Sequence, residues 1–373
     1  MRPARPIEGN VVFVAWRDLR FARGRFALMG TVIVLITVLV GLLSGLTAGL
    51  GRQNVSAITG LPADRLVFSA PAEGRQPSFA DSRVTPEQWE GWARVPGVTS
   101  AEPLGIGTAR AAVGGRTAAV SAFGVPVGSG LAPQGAAAGT AVAPGRVVLS
   151  GGAAADLGVT AGSTVTLAGR EFTVAAVAGD ASFSHTPVLW TGLADWQGLF
   201  PGAEGGHATV VALRTAPGTA SADADRRLGT RTLSLDDSLA AIGAYASENG
   251  SLQLMRGFLF AISALVVGAF FTVWTIQRSG DVAVLKALGA STAYVLRDAL
   301  GQAVTVLVLG TALGTALAAG IGAAVASTVP FVLDARTVLP PAAVTVVLGA
   351  VGAGLAVRRI ASVDPLTALG SVR

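Results

Sequence analysis

The sequence predicts a membrane α-helical protein. Four transmembrane helices are expected, with a mixed α+β extracytoplasmic domain between the first and the second. Three observations carry this. Four uncharged apolar runs can each cross a bilayer, which takes about 20 apolar residues per helix; they are 26–51, 257–277, one within 299–333, and 337–357. Mean hydropathy is +0.60 and charged residues are 13%, about half the ordinary share. The stretch 52–256 carries strand, turn and helix signals of a folded domain. The 373 residues include no cysteine, so disulfide and thiol chemistry are excluded and compartment cannot be read from cysteine.

Residues 1–25 place Val12, Trp16 and Leu19 on one helical face and Arg17, Arg20 and Arg23 on another. That pattern predicts a cytoplasmic amphipathic helix on the inner leaflet, with Trp16 at headgroup depth. The first apolar run exceeds the 7–15 residues usual for a signal-peptide core, so it is expected to be retained as a span. Gly41, Gly45 and Gly49 recur every four residues along it. They form a flat stripe where another backbone can approach, either within the chain or in a second copy. The third run repeats the device with Gly310, Gly314, Ala318 and Gly322.

In the extracytoplasmic segment, Arg65–Ser69 reads as a strand. Thr85, Pro86 and Gln88 spell a capping box with proline at the first helical position, and Val84 and Trp89 have hydrophobic-staple spacing. Residues 125–145 are rich in Gly, Ala and Pro and read as a flexible loop. Val165–Leu167 and Glu171–Val174 alternate around Ala168-Gly169-Arg170, which predicts a hairpin. Ala208–Arg214 is a further strand candidate, and from Leu235 a helical pattern runs into the second span as a stalk.

The polar stretch 278–298 lies between two apolar runs, so it is a loop at a membrane surface, with Val282, Leu285, Leu288 and Gly289 on one helical edge. The third run exceeds one span, so it tilts or ends in a re-entrant or interfacial piece before Pro330. Asp334–Arg336 then makes a tight turn, and 358–373 forms the tail. Residues 1–25 carry six Arg against Glu8 and Asp18, and the central loop carries three bases against two acids. Residues 52–256 carry 14 bases and 16 acids. Positive charge marks the cytoplasmic side, so both termini and the central loop are expected inside the plasma (inner) membrane.

Catalytic signatures are absent from the sequence. A P-loop needs Gly-Lys-Ser/Thr, whose lysine reaches the phosphates; the sole lysine, Lys286, sits between Leu285 and Ala287. His185 and His207 are the only histidines, too few and too isolated for a zinc site. Ser182, Ser184 and His185 cluster without a nucleophile elbow and read as a polar loop. The N-terminal arginines are explained by topology, so no nucleic-acid partner is expected.

These residues carry a resemblance. Asp281, Val282, Leu285, Lys286, Ala287, Leu288, Gly289 and Ala290 resemble the central loop of MacB/FtsX-type ABC transporter permeases, in which an acidic residue and an apolar pair precede Lys/Arg-Ala-Leu-Gly-Ala. Here Asp281 stands where Glu is commoner, which preserves the charge. The tail Asp364-Pro365-Leu366-Thr367-Ala368-Leu369 resembles the family's terminal motif, and the order of one span, a large domain and three spans agrees across the chain. The resemblance implies a permease without enzymatic activity. A separate ATPase, holding ATP and Mg, would contact the 281–290 motif, and two permeases would pair with two ATPases. No cofactor is expected on this chain. The four spans and compact domain are similar to the DevC/HrtB-like branch, whose HrtB-like members export haem; haem or another hydrophobic compound is then the expected substrate, with efflux or outward force transmission as the expected activity. For such a ligand, Tyr245, Glu248, Met255 and Arg256 lie near the outer end of the second span, with Glu248 and Met255 seven apart on one helical face. The competing class is a membrane-anchored sensor or scaffold, for which one span would serve.

Overall fold

In a computed structural model of the chain, the apolar runs form long helices and the residues between the first two form a strand-rich domain. The structure describes residues 23–133, 142–200, 206–277, 280, 284, 289, 291–326, 328–332 and 334–361. In chain order the elements begin with α1 (Arg23–Thr59), β1 (Arg65–Ser69), α2 (Pro86–Ala93), β2 (Val98–Val113), β3 (Arg116–Val125) and β4 (Arg146–Leu149). They continue with α3 (Gly151–Leu157), β5 (Thr164–Leu167), β6 (Arg170–Val177), β7 (Ser182–Phe183), β8 (Thr186–Gly192) and α4 (Leu193–Leu199). Then come β9 (Val210–Thr215), α5 (Ala222–Leu228), β10 (Thr230–Ser234), α6 (Leu235–Ser238), α7 (Gly243–Gln277), α8 (Thr292–Val325) and α9 (Ala335–Ala361). Two units result: Met1–Gly49 with Leu252–Arg373, and Leu50–Ser251.

The first unit is helical. Four helices among the described residues are long and apolar enough to cross a membrane. The helix α1 runs 37 residues without a break, about 55 Å at 1.5 Å per residue, against a hydrocarbon core of about 30 Å. Met29, Ile33, Val267, Phe271, Trp274, Ala303, Leu307 and Ala353 form the buried core of the unit. Lipid is as apolar as leucine, so these helices associate through close packing rather than through water exclusion. Glycine provides the closeness. A Cβ on Gly41 would lie 2.8 Å from Ala318 Cβ, one on Gly45 would collide with the Phe331 ring, and one on Gly49 with the Pro330 carbonyl oxygen. The stripe of α1 is therefore filled by the same chain. The ladder of α8 answers it: a Cβ on Gly310 would lie 2.8 Å from Ile33, and one on Gly314 2.8 Å from the Val34 oxygen. On the other side, Gly352 of α9 meets Gly268 of α7, with 3.2 Å from a built Cβ to the Gly268 Cα.

The third apolar run holds two structures. The helix α8 ends at Val325, and the chain then turns back so that Phe331 fills the space over Gly45 and Gly322. The Val332 N–H donates to the Gly45 oxygen at 3.2 Å. Asp334 opens α9: its Oδ1 accepts from the Thr337 N–H at 2.7 Å.

The second unit is the inserted domain. Its strands run in the order β10-β1-β9-β2-β3-β8-β4-β6-β5, with β7 beside β8 and a further pairing of β2 with β5 that closes the second half into a ring. The 16-residue β2 belongs to both halves. Its first part, Val98–Leu104, pairs with β9, and Gly105–Val113 pairs with β3. One core gathers Ile58, Leu66, Phe68, Phe79, Phe123 and Phe183. A second fills the ring with Val120, Val147, Leu157, Val165, Leu167, Phe172 and Trp196. The expected capping box is present, the Thr85 N–H donating to Gln88 Oε1 at 2.9 Å. Strands β5 and β6 form the expected hairpin, with Ala168 and Gly169 both at positive φ in its two-residue turn.

One expectation is corrected. The helical pattern from Leu235 does not run straight into the second span. It gives α6 and a 3-10 turn over Leu239–Ala241, and then Ile242 is extended at φ −84 and ψ 108. The Ile242 side chain is buried in the domain core, and that burial holds the break ahead of Gly243. The amphipathic stretch 11–22, residues 134–141 of the Gly/Ala/Pro loop, and the tail 362–373 lie outside the described residues.

The seam over Gly45 is testable. Gly45→Leu overpacks the Phe331 site and is expected to cost about 1–3 kcal/mol. Pairing it with Phe331→Ala should restore part of the loss, as read by thermal unfolding of the purified chain in detergent.

Candidate functional site

Strands β7 and β8 meet in a two-residue turn, with Phe183 paired to Thr186. The turn residues are Ser184 at φ 50 and His185 at φ 64. Both values suit the primed turns that match strand twist, yet neither residue adopts them readily. The surroundings hold them there. At the base, Phe183 packs edge-to-face between Phe79 and Phe123, with ring centroids 5.4 and 5.8 Å away. At the tip, the backbone N–H groups of Ser184 and His185 donate to the Asn54 and Gln53 carbonyls of α1, at 3.0 and 3.2 Å. The Ser182 N–H donates to Ser56 Oγ at 2.9 Å, and that hydroxyl donates back to the Ser182 oxygen at 3.3 Å.

The imidazole completes a clasp. His185 Nε2 lies 2.8 Å from Glu248 Oε2 on α7. A carboxylate only accepts, so the imidazole Nε2–H is the donor. Asn54 Nδ2 donates to the same oxygen at 3.3 Å. The same Asn54 nitrogen lies 3.2 Å from His185 Nε2. Asn54 is 1% exposed. The last turns of α1, the β7–β8 tip and the first turns of α7 are thus joined at one point of the inserted domain. Sequence reasoning reached Glu248 as a ligand residue and missed His185 as its partner. A serine-histidine pair at positive φ leaves no signal of the Asn-Gly kind.

The other expected ligand residues are placed as follows. Tyr245 packs on the domain core. Met255 is half exposed. Arg256 sits over the Phe260 ring, 5.8 Å from its centroid. Of the 281–290 motif, Asp281, Val282, Leu285, Lys286, Ala287, Leu288 and Ala290 lie outside the described residues. Gly289 is described, at φ 94, a conformation open to glycine and rarely to other residues. Two residues on, Ser291 caps α8, its Oγ accepting from the Tyr294 N–H at 3.2 Å.

Elsewhere in the domain, burial and the nearby Arg83 hold the His207 imidazole below its usual pKa, which favours its neutral form. Among the described residues no group of three or more His, Cys, Asp or Glu could hold a metal ion.

Comparison with known proteins covers the chain in two parts. Residues 26–231 match the family profile of the MacB-like periplasmic core domain, and 254–365 that of the FtsX-like permease C-terminal region. The permease HrtB of Staphylococcus haemolyticus (strain JCSC1435), named for a hemin transport system, is 24% identical over 368 residues, covering 96% of this chain and 99% of its own. An uncharacterized ABC transporter permease of Mycobacterium tuberculosis (strain ATCC 25618 / H37Rv) is 25% identical, with the same coverage. The solved periplasmic region of MacB from Actinobacillus actinomycetemcomitans aligns with 48% of this chain and 92% of its own at 13% identity, with a TM-score of 0.37.

A double-mutant cycle measures the clasp. His185→Ala and Glu248→Ala should show a coupling of about 0.5 kcal/mol, because the pair is partly solvated. Chemical denaturation of the whole chain in detergent reads it. Additive losses would show that the two side chains do not support each other.

Proposed function

The chain belongs to the family of MacB/FtsX-like ABC transporter permeases, and from that premise we propose that it is the membrane subunit of an exporter driven by a separate ATPase. The observation that carries the mechanism is the clasp. Two unbroken helices, α1 of 37 residues and α7 of 35, carry their far ends into the inserted domain, where one strained hairpin tip ties them together. A push on 278–298, at the other end of α7, would travel along a continuous hydrogen-bonded rod. It would arrive at an element already bonded to α1. Movement of this kind is a rigid-body switch between packed states.

The chain supplies no nucleotide chemistry of its own, since Lys286 is its only lysine and has no P-loop context. Work must come from an ATPase, and the 281–290 motif offers an apolar edge for contact area with charges that select the partner. Two copies of this chain would pair with two ATPases, with both termini and the 278–298 loop on the cytoplasmic side of the plasma membrane and the inserted domain outside. A hydrophobic cargo suits a protein whose spans hold no charged cluster. Haem is the specific candidate, supported by the end-to-end similarity to a permease named for hemin transport.

Asp281→Arg, or Leu285→Asp together with Leu288→Asp, should abolish copurification of the ATPase while the permease still inserts. Full recovery of ATPase with these variants would show that docking lies elsewhere. For the cargo, haem titrated into the purified permease should shift the Soret band, and Met255→Ala should weaken that shift. The absence of any spectral change in the parent chain would remove haem and leave the permease assignment standing.

A further inference from the structure

The inserted domain contains a cavity of about 490 Å³ that the proposed coupling does not use. Ligand pockets run from about 300 to 1,000 Å³ and combine an apolar wall with a few polar groups. The wall here is aromatic, made of Phe79, Phe183, Trp196 and Phe200. It is built into the sheet. Gly105 of β2 pairs directly with Gly124 of β3, and a Cβ on either would collide with the Trp196 ring. A Cβ on Gly107 would meet the Phe200 ring at 2.5 Å. Glycine weakens a strand interior, so glycines opposed across two strands mark a place where something must come close to the backbone; here it is the indole. Trp196 and Phe200, four apart, lie 5.2 Å between centroids.

The polar groups sort by what they already hold. Ser82 Oγ donates to the Thr209 oxygen at 2.7 Å and accepts from the Ser69 N–H. Thr209 Oγ1 accepts from the Ile106 N–H at 2.8 Å. These hydroxyls serve the sheet. Beside the hydroxyls of Ser78, Thr108 and Ser184, the lining holds the Arg83 guanidinium. Arg83 lines the cavity, is exposed, and makes no ion pair among the described residues. Its nearest hydrogen bond is a long one, 3.5 Å from Nη1 to the Asp81 oxygen. His207 lies beside it, its pKa lowered by burial and by the Arg83 charge, which favours the neutral imidazole.

We propose that this cavity binds a small aromatic carboxylate, its ring against Trp196 and Phe200 and its carboxylate on the Arg83 guanidinium. A guanidinium presents a planar fork that matches a carboxylate with two parallel hydrogen bonds. The aromatic rings offer faces and edges for stacking with a flat body. Opposite them the cavity is closed by Ser184, next to His185, and by Gly243 and Ala244 in the first turn of α7. An occupant therefore lies against the β7–β8 tip and the first turn of α7, the two elements that the His185–Glu248 pair joins. The site stands whether or not the chain exports haem.

The test titrates 2-naphthoate into the full chain in lipid nanodiscs, with calorimetry as the readout and empty nanodiscs as the baseline. Its uncharged counterpart, 2-naphthamide, is run in parallel. Saturable binding at one site per chain is expected, weakened roughly tenfold or more in the amide and in Arg83→Gln, since one charge-assisted pair is worth about a decade of affinity. Ala80→Trp fills the cavity from its exposed lip, leaves Arg83 in place, and should abolish binding. Heats no larger than those of empty nanodiscs would overturn the proposal. So would equal binding of acid and amide, or binding unchanged by Ala80→Trp.

Discussion

The membrane unit depends on backbones touching where side chains are missing. In lipid, apolar side chains gain little by leaving their surroundings, so helices must hold each other by contact density and by hydrogen bonds. Gly41, Gly45 and Gly49 allow this on α1, and Gly310 and Gly314 on α8. The turn after α8 completes it, with Phe331 lying over Gly45 and the Val332 N–H bonded to the Gly45 oxygen. Gly268 and Gly352 then bring α7 and α9 to backbone distance. Because interiors packed in this way shift between discrete arrangements rather than deforming, the four helices suit a part that moves as a body.

The inserted domain solves a different problem, which is how to hold a turn in a conformation its residues disfavour. Ser184 and His185 both sit at positive φ, a cost of order 1–3 kcal/mol for each such residue. The offsetting terms surround them: the stack of Phe68, Phe79, Phe183 and Phe123, two backbone hydrogen bonds to α1, and the His185–Glu248 pair. Strain of this sort persists only where neighbours over-determine it. Its location, where two membrane-crossing helices enter the domain, is why the tip is read as functional.

Much of this architecture was legible in the sequence, for reasons that differ by element. The apolar runs are readable because lipid thickness sets a minimum length. The β5–β6 hairpin is readable because Ala168-Gly169 supplies positive φ between alternating strands. The glycine stripe is readable as a face, but spacing says nothing about its partner, so Phe331 in the seam could not be foreseen. Its own run has no break before Pro330 to show that the helix stops at Val325. The pairing of β2 with β5 and the parallel pairing of β3 with β8 join residues far apart in the chain, and no local pattern encodes them. Glu248 was reached through its helical spacing to Met255, whereas its observed partner comes from a hairpin 63 residues earlier. The 281–290 motif rests on its sequence alone, as most of it lies outside the described residues.

The strand order has a consequence for how the protein is made. The first strand, β1, is flanked by β9 and β10, which are the last two strands synthesised. Until they arrive, Leu66, Val67 and Phe68 have no neighbours on either edge. At about 5–20 residues per second, β1 waits on the order of ten seconds on the far side of the membrane as an open, apolar strand edge, the feature that invites pairing with other chains. The ring of β2 to β8 can close in the meantime, since its strands come between. Biogenesis would then proceed from the middle of the domain outward, and the folding of its last sector would coincide with emergence of α7 from the translocation machinery.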